Sequence, residues 1–198
     1  MKQGLFFLLL FFLFAFKSNA SDTYASGYFI TKSNDTLLCK VLIPKDFGKF
    51  DALALFTKVT ILDSNGNKKK YTPNDINGYG FIYNSKAYIY VSKDVDDNGQ
   101  MMFVWPVNLG KSINEYCYYR SNSDDLDKAG MAAPDEIFVL ENTETNQTAS
   151  IVKGGSLLNT YMHQLRSFFE NDKRLMKLIT QDVKSFTDIS RFVEDANN

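Results

Sequence analysis

The stretch DVDDNG, which begins at Asp94, comes nearest of any segment in this chain to a metal-binding motif. Asp94, Asp96 and Asn98 stand at the first, third and fifth positions of an EF-hand-like calcium loop, and Gly99 stands at the sixth. The twelfth position, where such a loop needs a bidentate Glu, is Trp105, and the flanks have the pattern of strands. A polar hairpin turn explains the same residues, so the sequence nominates no metal-binding residue.

Acidic side chains could also support a carboxylate-based hydrolase. Such an enzyme needs two carboxyl groups at a defined separation, and the two groups can come from distant strands. The candidate acids are Asp124, Asp125, Asp127, Asp135 and Glu136. No spacing selects a pair among them, so the sequence nominates no catalytic residue.

Tyrosines at strand spacing could form an aromatic platform for a sugar or a peptide. The residues in question are Tyr79, Tyr83, Tyr88, Tyr90, Tyr116 and Tyr118. Aromatic residues at this spacing more often pack against neighbouring strands, which is the plainer interpretation. Both interpretations stay open at this point.

Histidine and cysteine are too scarce for several common chemistries. His163 is the single histidine, and it falls on the less apolar side of a predicted helix, as a solvated residue would. Zinc hydrolases, histidine-based serine hydrolases and cysteine proteases are therefore disfavoured. No glycine loop of the Walker or dinucleotide type is present, and no cofactor is expected. Cys39 and Cys117 could form a disulfide in an oxidising compartment or remain two separate buried thiols.

The N-terminus has the pattern of a secretory signal peptide. A short basic start precedes an unbroken apolar run of twelve residues, Leu5 to Phe16, and small residues precede a cut after Ala20. Twelve helical residues reach about 18 Å, which is too short for a hydrocarbon core of about 30 Å. We therefore expect 1–20 to be a signal peptide and the protein to be periplasmic, extracellular or on the cell surface. Its removal takes the formal net charge from −1 to −3, which disfavours nucleic acid as a partner.

The order of the sequence patterns predicts an α+β protein. Apolar residues alternate with period two from Gly27 to about Ile151, which indicates an antiparallel β-sandwich or a partly open barrel of about eight to ten strands. Met101 to Val107 is apolar on both faces and should be central or buried on both sides. After Gly155 the period becomes helical, which predicts two or three C-terminal helices packed on the strands. The predicted division is a β-rich domain over 21–153 and a helical segment over 154–198.

One hairpin is specified closely enough to predict its register. A three-residue loop from Ser64 to Gly66 sets Ile61 opposite Lys69 and Val59 opposite Tyr71, and it gives a better apolar pair than a two-residue loop would. The lysines at 68–70 then lie on a solvated, edge-like strand. The following Thr72-Pro73-Asn74-Asp75 is predicted to be a turn that the Asp75 carboxylate fixes.

The helical stripes can be read in two ways. The first predicted helix begins near Ser156 and carries Tyr161, Met162, Leu165 and Phe169 on one face, and similar stripes follow to Val193. The stripes are expected to cover the strands, because about forty residues make a weak core alone. An exposed stripe would instead suit a partner protein.

Two segments resemble a family of uncharacterised exported proteins of Bacteroidota. They are Gly27-Tyr28-x-Ile30-Thr31 with Asp35-Thr36, and Tyr71-Thr72-Pro73-x-Asp75-Ile76-x-Gly78-Tyr79, followed by the helical tail. The chain departs from the family in Asn34 and Lys40, where glycine is frequent. The resemblance is clearest over Gly27 to Tyr79 and implies the bacterial envelope, but it carries over no site residue.

Three functions follow as hypotheses. The first is a non-enzymatic envelope or secreted module that binds a protein partner or a glycan. The second is a sugar- or peptide-binding protein that uses the tyrosine-rich face, and the third is the carboxylate-based hydrolase. No second apolar run approaches spanning length, so no membrane span is expected after cleavage.

Overall fold

The computed structural model describes residues 22–120, 134–152 and 160–198. The predicted signal peptide lies outside these ranges, as do Asp124, Asp125, Asp127 and the predicted helix start at Ser156. Within them the chain forms twelve strands: β1 Tyr24–Thr31, β2 Thr36–Leu42, β3 Lys45–Asp46, β4 Lys49–Phe50, β5 Val59–Leu62, β6 Lys68–Tyr71, β7 Ile76–Tyr83, β8 Lys86–Asp94, β9 Met101–Asn108, β10 Ile113–Arg120, β11 Asp135–Asn142 and β12 Thr148–Val152. The helices are α1 Thr160–Phe168, α2 Lys173–Asp182 and α3 Ile189–Asn197, with 3-10 turns at Leu53–Phe56 and Phe186–Asp188.

Ten of these strands form one antiparallel sheet. Its order is β12-β11-β10-β9-β8-β7-β1-β2-β5-β6, and β3 and β4 pair separately as a small hairpin. The ordered strands end at β12 on one side and β6 on the other, so the described sheet is open. The predicted α+β class, with an antiparallel sheet and three packed C-terminal helices, is confirmed.

The predicted hairpin register is also confirmed. Val59 pairs with Tyr71 and Ile61 pairs with Lys69. Gly66 has a φ of 83°, a conformation that glycine adopts at little cost. The lysines at 68–70 are exposed on β6, at the edge of the sheet, where charge discourages pairing with other chains.

Cross-strand pairing assigns each residue to one of two faces, because side chains alternate along a strand. The first face carries Phe29, Tyr79 and Tyr90, which are paired in one row across β1, β7 and β8. The second face carries Tyr28, Gly80 and Ile89, the row next to it. On the central strand β9 both faces are covered, since Phe103 and Val104 are both fully buried. This confirms the central position predicted for that strand.

Two different segments cover the first face. Residues 45–56 lie over one half. There the Tyr79 hydroxyl donates a hydrogen bond to the Leu55 carbonyl over 2.7 Å, and the centroids of the Phe56 and Tyr90 rings lie 5.5 Å apart. The C-terminal helices lie over the other half and bury Ile113, Leu140 and Ile151. The helical stripes are therefore covered, and the described stripe residues do not offer a partner-binding surface.

Among the described residues, burial on the second face is concentrated towards β12. Here Tyr116, Tyr118, Ile137 and Val139 are buried together with Val95 from the β8–β9 turn. The Ser150 hydroxyl, from β12, donates to the Val95 carbonyl over 2.8 Å and holds this turn against the sheet. Over β2, β1, β7 and β8 the same face carries exposed apolar side chains, although Ile76 at the start of β7 is buried.

Candidate binding surfaces and buried polar sites

The polar segments that looked most like sites act as turns. The Asp75 carboxylate accepts hydrogen bonds from the Thr72 amide and hydroxyl, both over 2.7 Å, and these bonds hold its pKa below the ordinary value. The Asp94 carboxylate accepts bonds from the amides of Asp96, Asn98 and Gly99, the last over 2.6 Å. Each carboxylate therefore closes its own turn. In the described ranges no cluster of three or more acidic, histidine or cysteine side chains is placed to hold a metal ion.

The tyrosines are mostly inside the protein. Tyr79, Tyr90, Tyr116 and Tyr118 are buried, while Tyr83 and Tyr88 are half-buried beneath Phe50. The Tyr79 and Tyr90 rings stack at 4.9 Å, as cross-strand partners do. Burial raises the pKa of both hydroxyls well above the ordinary value. These residues build the core, and the four buried ones do not present a platform to solvent.

The two cysteines are separate thiols. Cys39 lies on β2, half-buried, and Cys117 is buried on β10, and neither is in a disulfide. Burial raises the pKa of the Cys39 thiol to about 11, so it is protonated at neutral pH and is a weak nucleophile. His163 is exposed on α1, as predicted for a solvated helix residue.

Glu141 forms a polar cluster on the second face that the sequence does not reveal. Its carboxylate accepts hydrogen bonds from Lys93, from the Asn114 amide and from the Tyr116 hydroxyl, the last two over 2.8 Å. Burial alone would raise the pKa of this carboxyl, but the three donors outweigh it and the net pKa is lowered. The charged form is therefore the folded protein's form at neutral pH.

Glu115 is a second buried carboxyl, and it lies on the first face beneath α3. The Ser190 hydroxyl donates to it over 2.6 Å and the Asn108 amide over 3.3 Å. Burial raises its pKa above the ordinary value, and these two neutral donors only partly oppose the effect.

The two carboxyls cannot act together as an acid and a base. Asn114 pairs with Glu141 across β10 and β11, and Glu115 is the next residue along β10, so the carboxyls project from opposite faces. Two of the acids considered for hydrolysis lie in the described ranges. An Asp135 carboxylate oxygen lies 3.9 Å from an Arg120 guanidinium nitrogen, and the Glu136 carboxylate accepts a hydrogen bond from the Tyr119 hydroxyl. These four carboxyl groups therefore all take part in contacts within the fold.

One surface stands out as a candidate contact region. On the second face, Tyr28 pairs with Leu38 on one side and Gly80 on the other, and Gly80 pairs with Ile89. The next row adds Ile82 and Ala87. Leu38 is 83% exposed, Ile82 65% and Ile89 46%. We name Tyr28, Leu38, Ile82, Ala87 and Ile89 the apolar patch.

The Tyr28 ring gives the patch its shape, and charged side chains border it. The Tyr28 ring fills the space above Gly80, where an added Cβ would lie 2.8 Å from its ring atoms. Lys40 pairs with Ser26 on one side and with Leu62 on the other, and Leu62 pairs with Lys68, so both lysines lie on the same face towards β6. Lys70 lies two residues beyond Lys68 on the same strand. Asp22 pairs with Lys68 over 2.9 Å, and the other two lysines are exposed.

A small apolar pocket opens on the first face between its two covers. It has a volume of about 360 Å³ and is walled by Trp105, Tyr119 and Phe138, with Cys117 and Glu136 as polar groups and Val107 at its rim. Lys86 lies 5.0 Å from the Trp105 ring. Pockets of this size and character hold small ligands or single side chains.

Comparison with protein-family models, with curated proteins and with solved structures returns no match to this chain. The resemblance to exported proteins of Bacteroidota therefore stays a prediction. Within the described residues, no helix combines the length and apolar character that crossing a membrane requires.

Three features of these surfaces have no signal in the sequence. Glu115 and Glu141 sit in ordinary strand patterns, and only the packing of distant segments buries them. The patch residues look like core residues by alternation, because the pattern shows that a face is apolar but not whether another layer covers it. The pocket joins residues from β9, β10 and β11, and its depth depends on where the covers stop.

Proposed function

We propose that this chain is an exported, non-enzymatic binding module of the cell envelope or the secreted space, and that it recognises a partner protein through the apolar patch. The observation that carries the proposal is the exposure of Leu38, Ile82 and Ile89 together on one continuous sheet face. Contiguous exposed apolar side chains with a polar border are typical of protein interaction sites.

The charges beside the patch indicate what the partner presents. Lys40 and Lys70 give this side of the face a positive border. A partner with an apolar centre and acidic side chains beside it would complement both features. Export is supported by the N-terminal sequence pattern and by the resemblance to exported proteins.

The alternatives have less support. A glycan or peptide site on the tyrosine-rich face would need exposed rings, and four of the six tyrosines are buried. A hydrolase would need converging acids, and Glu115 and Glu141 project from opposite faces. The interaction module is therefore the stronger proposal.

The test compares capture of partners from an envelope extract by the wild type and by point variants. Leu38→Lys and Ile82→Lys place a charge in the patch without disturbing the core, since both side chains are mostly exposed. We expect each to abolish capture of a specific protein, and we expect Lys40→Glu to weaken that capture, more so at low salt.

Leu109→Lys is the matched control, because Leu109 is 66% exposed and lies outside the patch. Thermal unfolding of each variant serves to check that it folds. Capture that survives both patch substitutions, or that Leu109→Lys also removes, would contradict the proposal. The absence of any reproducible partner would contradict it as well.

A further inference from the structure

The tip of the β3–β4 hairpin presents an unusual aromatic residue. Phe47 and Gly48 form its two-residue loop, with φ values of 45° and 78°. Two positive φ values are the pattern of a type I′ turn, in which Asn, Asp or Gly is strongly preferred at the first position. A bulky residue such as phenylalanine is disfavoured there.

The Phe47 side chain gains nothing from the fold that would offset this strain. It is 98% exposed, the highest value among the large apolar residues of the described chain. Burial is the usual source of stabilisation from an aromatic ring, and here burial is almost absent. The ring is therefore placed to contact something other than the chain's own core.

The first-face pocket has an apolar lining that suits such a ring. It has room for one aromatic ring, and its walls are the rings of Trp105, Tyr119 and Phe138. The hairpin and the pocket lie side by side on one face: Phe50, which follows the tip, meets Tyr88 at 5.3 Å, and Tyr88 lies 6.4 Å from Trp105.

The charges of the two regions are also complementary. The hairpin carries Asp46 and Lys49, both exposed and paired with each other across the two strands. The pocket has Glu136 in its wall and Lys86 beside Trp105. Docking can therefore place Lys49 near Glu136 and Asp46 near Lys86, so that opposite charges meet at both ends.

We propose that a second copy of this chain occupies the pocket: two molecules pair about a twofold axis, and each inserts Phe47 into the first-face pocket of the other. In an isologous contact of this kind the inserted side chain, Phe47, and the pocket that receives it must lie on the same face of the molecule, as they do here. The surface used is distinct from the apolar patch on the second face, so the pairing is independent of the proposed partner.

The decisive measurement is sedimentation velocity of the purified chain over a wide concentration range. We expect the wild type to dimerise and Phe47→Ala to raise the dimer Kd by at least about tenfold, as loss of an aromatic anchor does. Phe47→Asn should weaken the dimer equally while raising or preserving thermal stability, because Asn suits a positive φ. That combination separates loss of contact from loss of fold.

Two further variants test the pocket. Val107→Arg should block it from the rim, where Val107 is 48% exposed. A mixture of Phe47→Ala and Val107→Arg should associate more tightly than either variant alone, because one Phe47 and one open pocket remain in the mixed pair. Lys49→Glu and Glu136→Lys should each weaken the dimer, and the double variant should recover part of the loss.

A monomeric wild type at every concentration would overturn the proposal, as would a dimer that Phe47→Asn leaves unchanged. Binding of monomers to vesicles containing anionic lipid, lost in Phe47→Ala, would assign the tip to a membrane surface and overturn it too. Failure of the mixed pair to associate more tightly than its components would exclude the reciprocal geometry.

Discussion

At the scale of single residues, Lys93 and Glu141 form an ion pair whose carboxylate is largely removed from water. The Glu141 side chain is 9% exposed and that of Lys93 is 26% exposed. Replacing Lys93 with Met should lower the free energy of unfolding at pH 7 by about 3 kcal/mol, because it leaves a buried carboxylate without its cation. Urea unfolding measures this change. Lys68→Met, which breaks the solvated pair with Asp22, is the control and should cause no measurable change.

The pH dependence of that loss has a fixed sign. The folded pKa of Glu141 is lower than its ordinary value of 4.5, so its ionisation stabilises the fold above that value. This contribution disappears as the pH falls from 4.5 through the lowered pKa. The difference between wild type and Lys93→Met should shrink over the same range, and a difference that stays constant would show that the pair does not titrate as a unit.

Glu115 should show the opposite dependence. Its folded pKa is above the ordinary value of 4.5, so the folded state binds a proton more tightly than the unfolded chain does. Stability from this group is therefore full below pH 4.5 and is lost as the pH rises through the raised pKa. Glu115→Gln does not ionise, so its free energy of unfolding should increase relative to that of the wild type as the pH rises from 4.5 through the raised pKa of Glu115.

Chemical denaturation at several pH values measures this trend. Glu144→Gln, an exposed substitution, is the control and should track the wild type. A constant difference between wild type and Glu115→Gln across the range would contradict the assignment. The sequence could not have predicted the behaviour of Glu115, because the alternation of β10 is the same whether α3 covers its first face or not.

At the scale of elements, local chemistry decides how much the sequence predicts. The register of β5 and β6 follows from the three-residue loop Ser64 to Gly66, and it is confirmed to the residue. The Asp172 cap of α2 is similarly local: its carboxylate accepts from the Arg174 and Leu175 amides. Residues 45–56 have no clear period, and the sequence indicates only a loop and an apolar stretch. Their hairpin and 3-10 turn are stabilised by packing on Tyr79, Tyr88 and Tyr90.

Two glycines of β7 allow a test of how closely the elements approach. A Cβ at Gly78 would lie 2.5 Å from the Tyr90 backbone carbonyl, which cannot move without breaking the β7–β8 ladder. The three atoms nearest to a Cβ at Gly80 all belong to the far end of the Tyr28 ring, at 2.8 Å, and this ring can swing towards solvent. Gly78→Ala should therefore lower stability by about 2 kcal/mol or more, and Gly80→Ala should cost clearly less.

Thermal and urea unfolding of the two variants supply the comparison. Each variant is the control for the other, because both glycines lie on the second face of the same strand, two residues apart. In a Tyr28→Ala background, Gly80→Ala should cost little further stability, because the Tyr28 ring that the new methyl group would contact is absent. Equal losses at the two positions would contradict this account of the close approach.

At the scale of the whole molecule, the sheet is covered unequally. The first face has two covers, the 45–56 segment and the C-terminal helices, whereas burial on the second face is concentrated near β9–β12 and at Ile76. The sequence predicts that helical stripes pack on strands, since stripes of this kind need burial. It could not show which half of which face they cover, because that depends on long-range packing. The open half of the second face is where the proposed partner site lies.

The helical cover should be essential to stability, although it comes last in the chain. Phe192 is fully buried, and its ring meets Phe169 at 5.7 Å in the core between helices and sheet. Phe192→Ala should lower the free energy of unfolding by about 3–5 kcal/mol, because it opens a cavity in that core. Phe47→Ala removes the same atoms from an exposed position and should leave the unfolding of the monomer nearly unchanged. Urea unfolding at a concentration where both variants are monomeric makes the comparison. A small loss in Phe192→Ala would mean that the helices add little to the stability of the sheet, and that the two covers of the first face are energetically separate.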